Sequence, residues 1–190
     1  MINLENMRKD YVKYDSEREK IIQQSRDIIR KSKSCIGSAH RGNMQAASKF
    51  LAEMKKDLER LKETAKKNPK LMFEGIFKVA VQEYVEAKAL IEFIKKGTII
   101  TYDKEFVDHE FYLLGLCDLG GELVRKAINS SINDDFKTAV KIREVLEQIY
   151  VEMSKFDFRN SELRKKYDGI KYDLKKLDDL VFQLKMKGSI

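Results

Sequence analysis

The chain holds one proline, Pro69, and hardly any alternating β-branched run. Little in it breaks helices and little in it builds strands. Both shortages point to an all-α fold. No window approaches the eighteen apolar residues of a membrane span, which excludes a transmembrane helix. Arg8, Lys9 and Asp10 interrupt the N-terminus before an apolar run can form, so no secretory leader is visible and the expected location is the cytoplasm. The two cysteines, Cys35 and Cys117, lie far apart in apolar helical contexts. They lack zinc spacing and read as buried free thiols, not a disulfide. Neither His40 nor His109 follows a glutamate by three residues, which excludes the paired Glu-x-x-His set of a di-iron site. Walker-A, Gly-x-Gly-x-x-Gly and Gly-x-Ser-x-Gly motifs are missing.

What remains is charge and helical periodicity. Charged residues make up 36% of the chain and apolar ones 43%, the balance of helices with long exposed faces. At 190 residues the chain fits one domain, 1–190, with a sizeable core. The net charge of +7 suits nucleic acid, an anionic membrane or plain solubility, and alone decides nothing.

The pattern predicts six helices. The first runs from Asn3 to Ser38, with Ile21, Ile22, Ile28, Ile29, Cys35 and Ile36 on its buried side. Gly37 and Gly42 are placed to bend or end it. The second runs from Asn43 to Lys66 on a seam of Met44, Ala47, Leu51, Met54, Leu58 and Leu61. A loop around Pro69 leads to the third, Phe73 to Lys96, ended by Gly97. A short extended linker follows, and Asp103 reads as the N-cap of the fourth helix. Asn133-Asp134 caps a fifth helix reaching Met153, and Arg159-Asn160-Ser161 starts the sixth. The last seam, Leu163 to Leu184, suits a bundle wall or an oligomer contact.

Helix four is mostly apolar but carries one polar line, Asp118, Glu122, Arg125 and Asn129, spaced 4, 3 and 4. Those residues share one helical face. Tyr112, Leu113, Leu116, Leu119, Leu123, Val124 and Ile128 read as buried around them. Carboxylates in such a setting must be paired, protonated or holding a metal. Helix three repeats the anomaly with Glu83 and Glu86 among Val79, Leu90 and Phe93. Salt bridges to Arg125 or to the arginines of helix one would explain that pair structurally. Antiparallel packing of helices three and four would bring the two acid pairs face to face. Four oxygen donors without histidine then favour Mg²⁺ or Mn²⁺ over zinc. Such an ion could activate water and neutralise a phosphodiester. Arg26, Arg30, Lys33, His40 and Arg41 fall at offsets of 0, 4, 7, 14 and 15, one basic stripe along helix one. It is either a solvated face or a phosphate-binding strip.

Several stretches resemble one known family. Gln82-Glu83-Tyr84-Val85-Glu86-Ala87, Tyr112 to Gly115, Asp118-Leu119, Gly121-Glu122-Leu123 and Ile128-Asn129-Ser130 are similar to the translin and translin-associated factor X (TRAX) superfamily. Leu163 to Gly188 is close to that family's last helix. The resemblance spans nearly the whole chain. It implies an all-α protomer of about seven helices, so that the first predicted helix would count as two. It also implies an octameric shell with RNA bound and cut inside, and Mg²⁺-dependent endoribonuclease activity on single-stranded RNA. TRAX, the nuclease branch, matches Glu83, Glu86 and Asp118, whereas translin lacks that set. Both branches keep a glutamate matching Glu122. A translin-like frame with a TRAX-like acid set fits a single-gene homologue forming a homo-octamer. The carried-over roles are metal binding and catalysis for Glu83, Glu86, Asp118 and Glu122; beside them, Arg125 or nearby basic groups would steady the phosphate. The resemblance also implies that Arg26, Arg30, Lys33, His40 and Arg41 are part of a nucleic-acid surface. Two rivals stand beside this reading. One is a non-catalytic oligomer binding single-stranded RNA or DNA. The other is an all-α nucleotide pyrophosphohydrolase, whose usual Glu-x-x-Asp spacing Asp118-x-x-x-Glu122 does not match.

Overall fold

The computed structural model describes residues 3–104, 106–159 and 161–190. Among them the regular elements are six α-helices and one 3₁₀ turn, with no strand: α1 (Glu5–His40), α2 (Met44–Lys66), the 3₁₀ turn Pro69–Phe73, α3 (Gly75–Lys96), α4 (His109–Ile132), α5 (Phe136–Ser154) and α6 (Glu162–Met186). Helix α1 is continuous and does not divide in two. Its buried line is Ile21, Ser25, Ile28, Ser32, Cys35 and Ala39, steps of four and three that face α2 and α3.

Local chemistry sets the helix ends. Gly42, at a φ of 77°, turns the chain after α1. Asn43 then caps α2 by accepting from the Ala46 amide at 3.0 Å. Gly97, at a φ of 69°, closes α3 in the left-handed conformation. The cap of α4 is Asp108, which accepts from the Glu110 amide at 2.8 Å. The expected cap, Asp103, sits in an earlier turn, where its carbonyl accepts from Phe106 and Val107. Asp135, not Asn133-Asp134, caps α5, because Asp134 occupies a left-handed turn at a φ of 59°. Ser161 caps α6; Asn160 lies outside the described residues.

Helices α3 and α4 form the middle of the molecule. The α1–α2 hairpin covers one side, and α5 and α6 cover the other. α3 and α4 run in the same direction, which differs from the antiparallel arrangement expected of this pair. Phe77 meets Phe111 with ring centroids 6.4 Å apart, and further along both helices Gln82 and Val85 lie against Gly115. The reason is the connection. Residues 97–108 can span about 40 Å when extended, enough to return along α3. Tyr112 donates to the Ile100 carbonyl at 2.7 Å and pins that return. The two central helices touch closely at Gly115, where a Cβ would stand 2.6 Å from Val85 Cβ and 3.0 Å from the Gln82 carbonyl.

A carboxylate cluster between α3 and α4

That close contact brings Glu86 of α3 within electrostatic reach of Asp118 and Glu122 of α4, with Glu83 one turn earlier on α3. All four are half-buried. Each has a different environment. Asp118 is held by Lys166 of α6, whose Nζ donates to Oδ1 at 2.8 Å and to Oδ2 at 2.7 Å. The same ammonium reaches Oε1 of the buried Gln82 at 3.3 Å. Glu122 accepts from Nε2 of His40 at 2.5 Å and lies 3.7 Å from Arg125. The His40 bond, ahead of the opposing cost of burial, holds the Glu122 carboxyl below its ordinary range. The backbone carbonyl of Glu83 accepts from Ser32 at 3.2 Å, which fixes α1 against this part of α3.

Glu86 behaves differently. Its carboxyl is pushed up to about 8, first by burial and then by the charges of Glu83, Asp118 and Glu122, with Lys166 acting in the opposite sense. The four acids therefore share one electrostatic neighbourhood that a single ammonium does not balance. An excess of oxygen donors on partly buried helix faces suits a hard divalent cation. Among the described residues, no three His, Cys, Asp or Glu side chains already stand about a common point. Asp118 is turned to Lys166 and Glu122 to His40. The donor set fits Mg²⁺ or Mn²⁺ in chemistry, and these side chains must turn together to hold it. The side chains are partly exposed, 30% for Asp118, 28% for Lys166 and 23% for Glu122, which leaves them free to turn.

The basic stripe divides. Arg26, Arg30, Lys33 and Arg41 are exposed, and Arg30 pairs with Asp27 at 2.8 Å. His40, grouped with them by its offset, has a side chain only 3% exposed and belongs to the acid cluster. Its Nδ1 is buried without a hydrogen-bond partner among the described residues. The stripe thus borders the cluster at His40. Arg125 is 57% exposed on the cluster's rim. Lys166 and Gln82 are the members that sequence reasoning did not assign to the site. A signal for Lys166 existed: it stands three residues after Leu163 and four before Ile170, both buried. A lysine so flanked points inward.

The profile of the translin family matches residues 16–188. The chain belongs to the translin family. Among its relatives, human translin is 31% identical over 118 residues, 60% of this chain and 52% of that protein. The chain thus matches about half the length of the translins. An uncharacterized protein of Methanocaldococcus jannaschii is 32% identical over 162 residues, covering 81% of this chain and 70% of that one. Translin-associated protein X of Pongo abelii is 28% identical over 215 residues, 90% of this chain and 73% of its own length. Two solved structures share the fold closely. Apo-NeC3PO superposes with a TM-score of 0.87 at 31% identity, covering 96% of this chain and 97% of that one. AfC3PO in complex with duplex RNA superposes with a TM-score of 0.88 at 29% identity, covering 98% of each. This translin-family chain therefore combines the family's helical frame with four acids gathered on its central helices. Among its described residues no helix is long and apolar enough to cross a membrane.

Proposed function

We propose that this chain is a metal-dependent endoribonuclease that cuts single-stranded RNA inside a homo-oligomeric, cytoplasmic shell of eight copies. The observation that carries the reading is the gathering of half-buried carboxylates on the two central helices, Glu83 and Glu86 on α3 with Asp118 and Glu122 on α4, where burial and acidic neighbours push the Glu86 carboxyl up. A cluster under such repulsion is costly to fold and is explained by a cation it is built to receive. Glu83, Glu86, Asp118 and Glu122 would hold Mg²⁺ or Mn²⁺. When bound, that ion supplies charge neutralisation for the phosphodiester and activation of a water. The protein's own groups position the rest. His40 and Lys166 hold Glu122 and Asp118 while no ion is bound, and Arg125 at the rim offers a guanidinium to phosphate. Exposed Arg26, Arg30, Lys33 and Arg41 draw the nucleic-acid backbone towards the cluster. The AfC3PO complex with duplex RNA supports an RNA ligand. Self-association is supported by the outward face of α6, where Tyr172, Phe182 and Met186 are 71%, 63% and 72% exposed.

A second reading has its own observation. Asp118 and Glu122 are each already paired, as they would be in a binding-only oligomer of single-stranded RNA or DNA. Incubating the protein with a labelled single-stranded oligoribonucleotide separates the two. The nuclease reading expects cleavage with Mg²⁺, none with a chelator, and none from Asp118→Asn. Binding without cleavage under every metal condition favours the second reading. Native mass measurement tests the octamer.

A further inference from the structure

Lys166 occupies an unusual place. It is the one residue of α6 that hydrogen-bonds an acid of the cluster among the contacts described above, and it uses all three ammonium donors there. Two go to the oxygens of Asp118, at 2.8 and 2.7 Å, and one to Gln82 Oε1 at 3.3 Å. A carboxylate with both oxygens engaged this way has fewer lone pairs left for an ion and is held in an orientation set by the lysine. An ammonium beside that ion would also repel it. The lysine is not locked in place. Its side chain is 28% exposed and its unbranched stem can carry a strongly hydrated head back to water.

We infer that Lys166 and a divalent cation compete for the same Asp118 carboxylate, which makes Lys166 a positioning residue that sets the metal affinity of the cluster. This rests on the reading of the four acids as a cation site. It goes beyond it by giving the site a built-in competitor delivered from a third helix. Lys166 keeps Asp118 in place on α4 and raises the ion concentration needed to load the cluster. It also leaves an ammonium next to the bound ion, free to meet an anionic ligand.

Mn²⁺ binding to the full chain, followed by electron paramagnetic resonance, tests the inference without any activity readout. Lys166→Met should tighten Mn²⁺ binding by about tenfold, the effect of removing one competing charge. Lys166→Arg, which keeps the charge, should change it by less than about threefold. A merely structural lysine predicts unchanged or weaker binding in Lys166→Met, and that result overturns the inference. Should Lys166→Met fail to fold, crystals of the unaltered protein grown with Mn²⁺ decide. Lys166 Nζ more than 4 Å from both Asp118 oxygens supports the exchange, and Nζ still bonded there overturns it. The two readings fail differently. Absence of Mn²⁺ binding in both proteins rejects the cation site and this inference together, whereas equal binding in both rejects this inference alone.

Discussion

Glu86 shows how one side chain reports its surroundings. Its carboxyl ordinarily titrates near 4.5 and is raised to about 8 in the fold. The folded state thus keeps a proton that the unfolded chain gives up. The stability this group contributes is fully present below about 4.5 and drains away as pH rises through 8. Without divalent ions, chemical denaturation should show stability falling over that window by up to ~1.4 kcal/mol per pH unit. Glu86→Gln should flatten the slope and melt higher than the unaltered protein at pH 8. An unchanged slope would mean that Glu86 is not the group under strain. At this scale the sequence was legible where a charge interrupted an apolar face. Glu83, Glu86, Asp118 and Glu122 all stood out for that reason. His40 did not, because its partner Glu122 is 82 residues away and only its offset from Arg26 was visible. Lys166 was hidden among the many lysines of α6, although Leu163 and Ile170 on either side marked its direction.

Among the elements, α3 and α4 decide whether the cluster exists. Their close approach at Gly115 leaves no room for a side chain, since a Cβ would stand 2.6 Å from Val85. Gly115→Ala should cost about 1–3 kcal/mol in chemical denaturation, because Val85 and the Gln82 backbone must move apart. It should also weaken metal binding, since the same displacement separates Glu83 and Glu86 from Asp118 and Glu122. A stability loss below ~0.5 kcal/mol would show that the helices slide without strain. Helix existence and most ends followed from periodicity and from Asn43, Gly97 and Ser161. The direction of α4 relative to α3 did not. It is fixed by the path of residues 97–108 and by the Tyr112 bond to Ile100, which no local pattern encodes. Val79 and Ile128 also departed from their apolar reading, at 42% and 45% exposed. Helical spacing says which residues share a face, and only the packing says whether that face is covered.

At the level of the whole molecule, part of the net charge of +7 lies along α1. Arg26, Arg30, Lys33 and Arg41 line the outside of α1, and His40 joins that line to the acid cluster. Replacing the four exposed bases by glutamine should weaken single-stranded RNA binding at low salt. It should also flatten the dependence of log K on log salt by about 3, at roughly 0.7 per phosphate contact. Titration across a salt series measures both. A slope that does not change would remove this stripe from the nucleic-acid path while leaving the acid cluster untouched.

The proposed activity is cleavage of RNA by the four acids through a bound divalent ion. Glu86→Gln is the sharpest test, because the change keeps the size of the side chain and removes a carboxylate that the ion would need. Cleavage and binding of one labelled single-stranded RNA are measured on the same sample in Mg²⁺. Cleavage should fall at least about a hundredfold while binding stays within a factor of a few. Cleavage at the rate of the unaltered protein by folded, nuclease-free Glu86→Gln would contradict it.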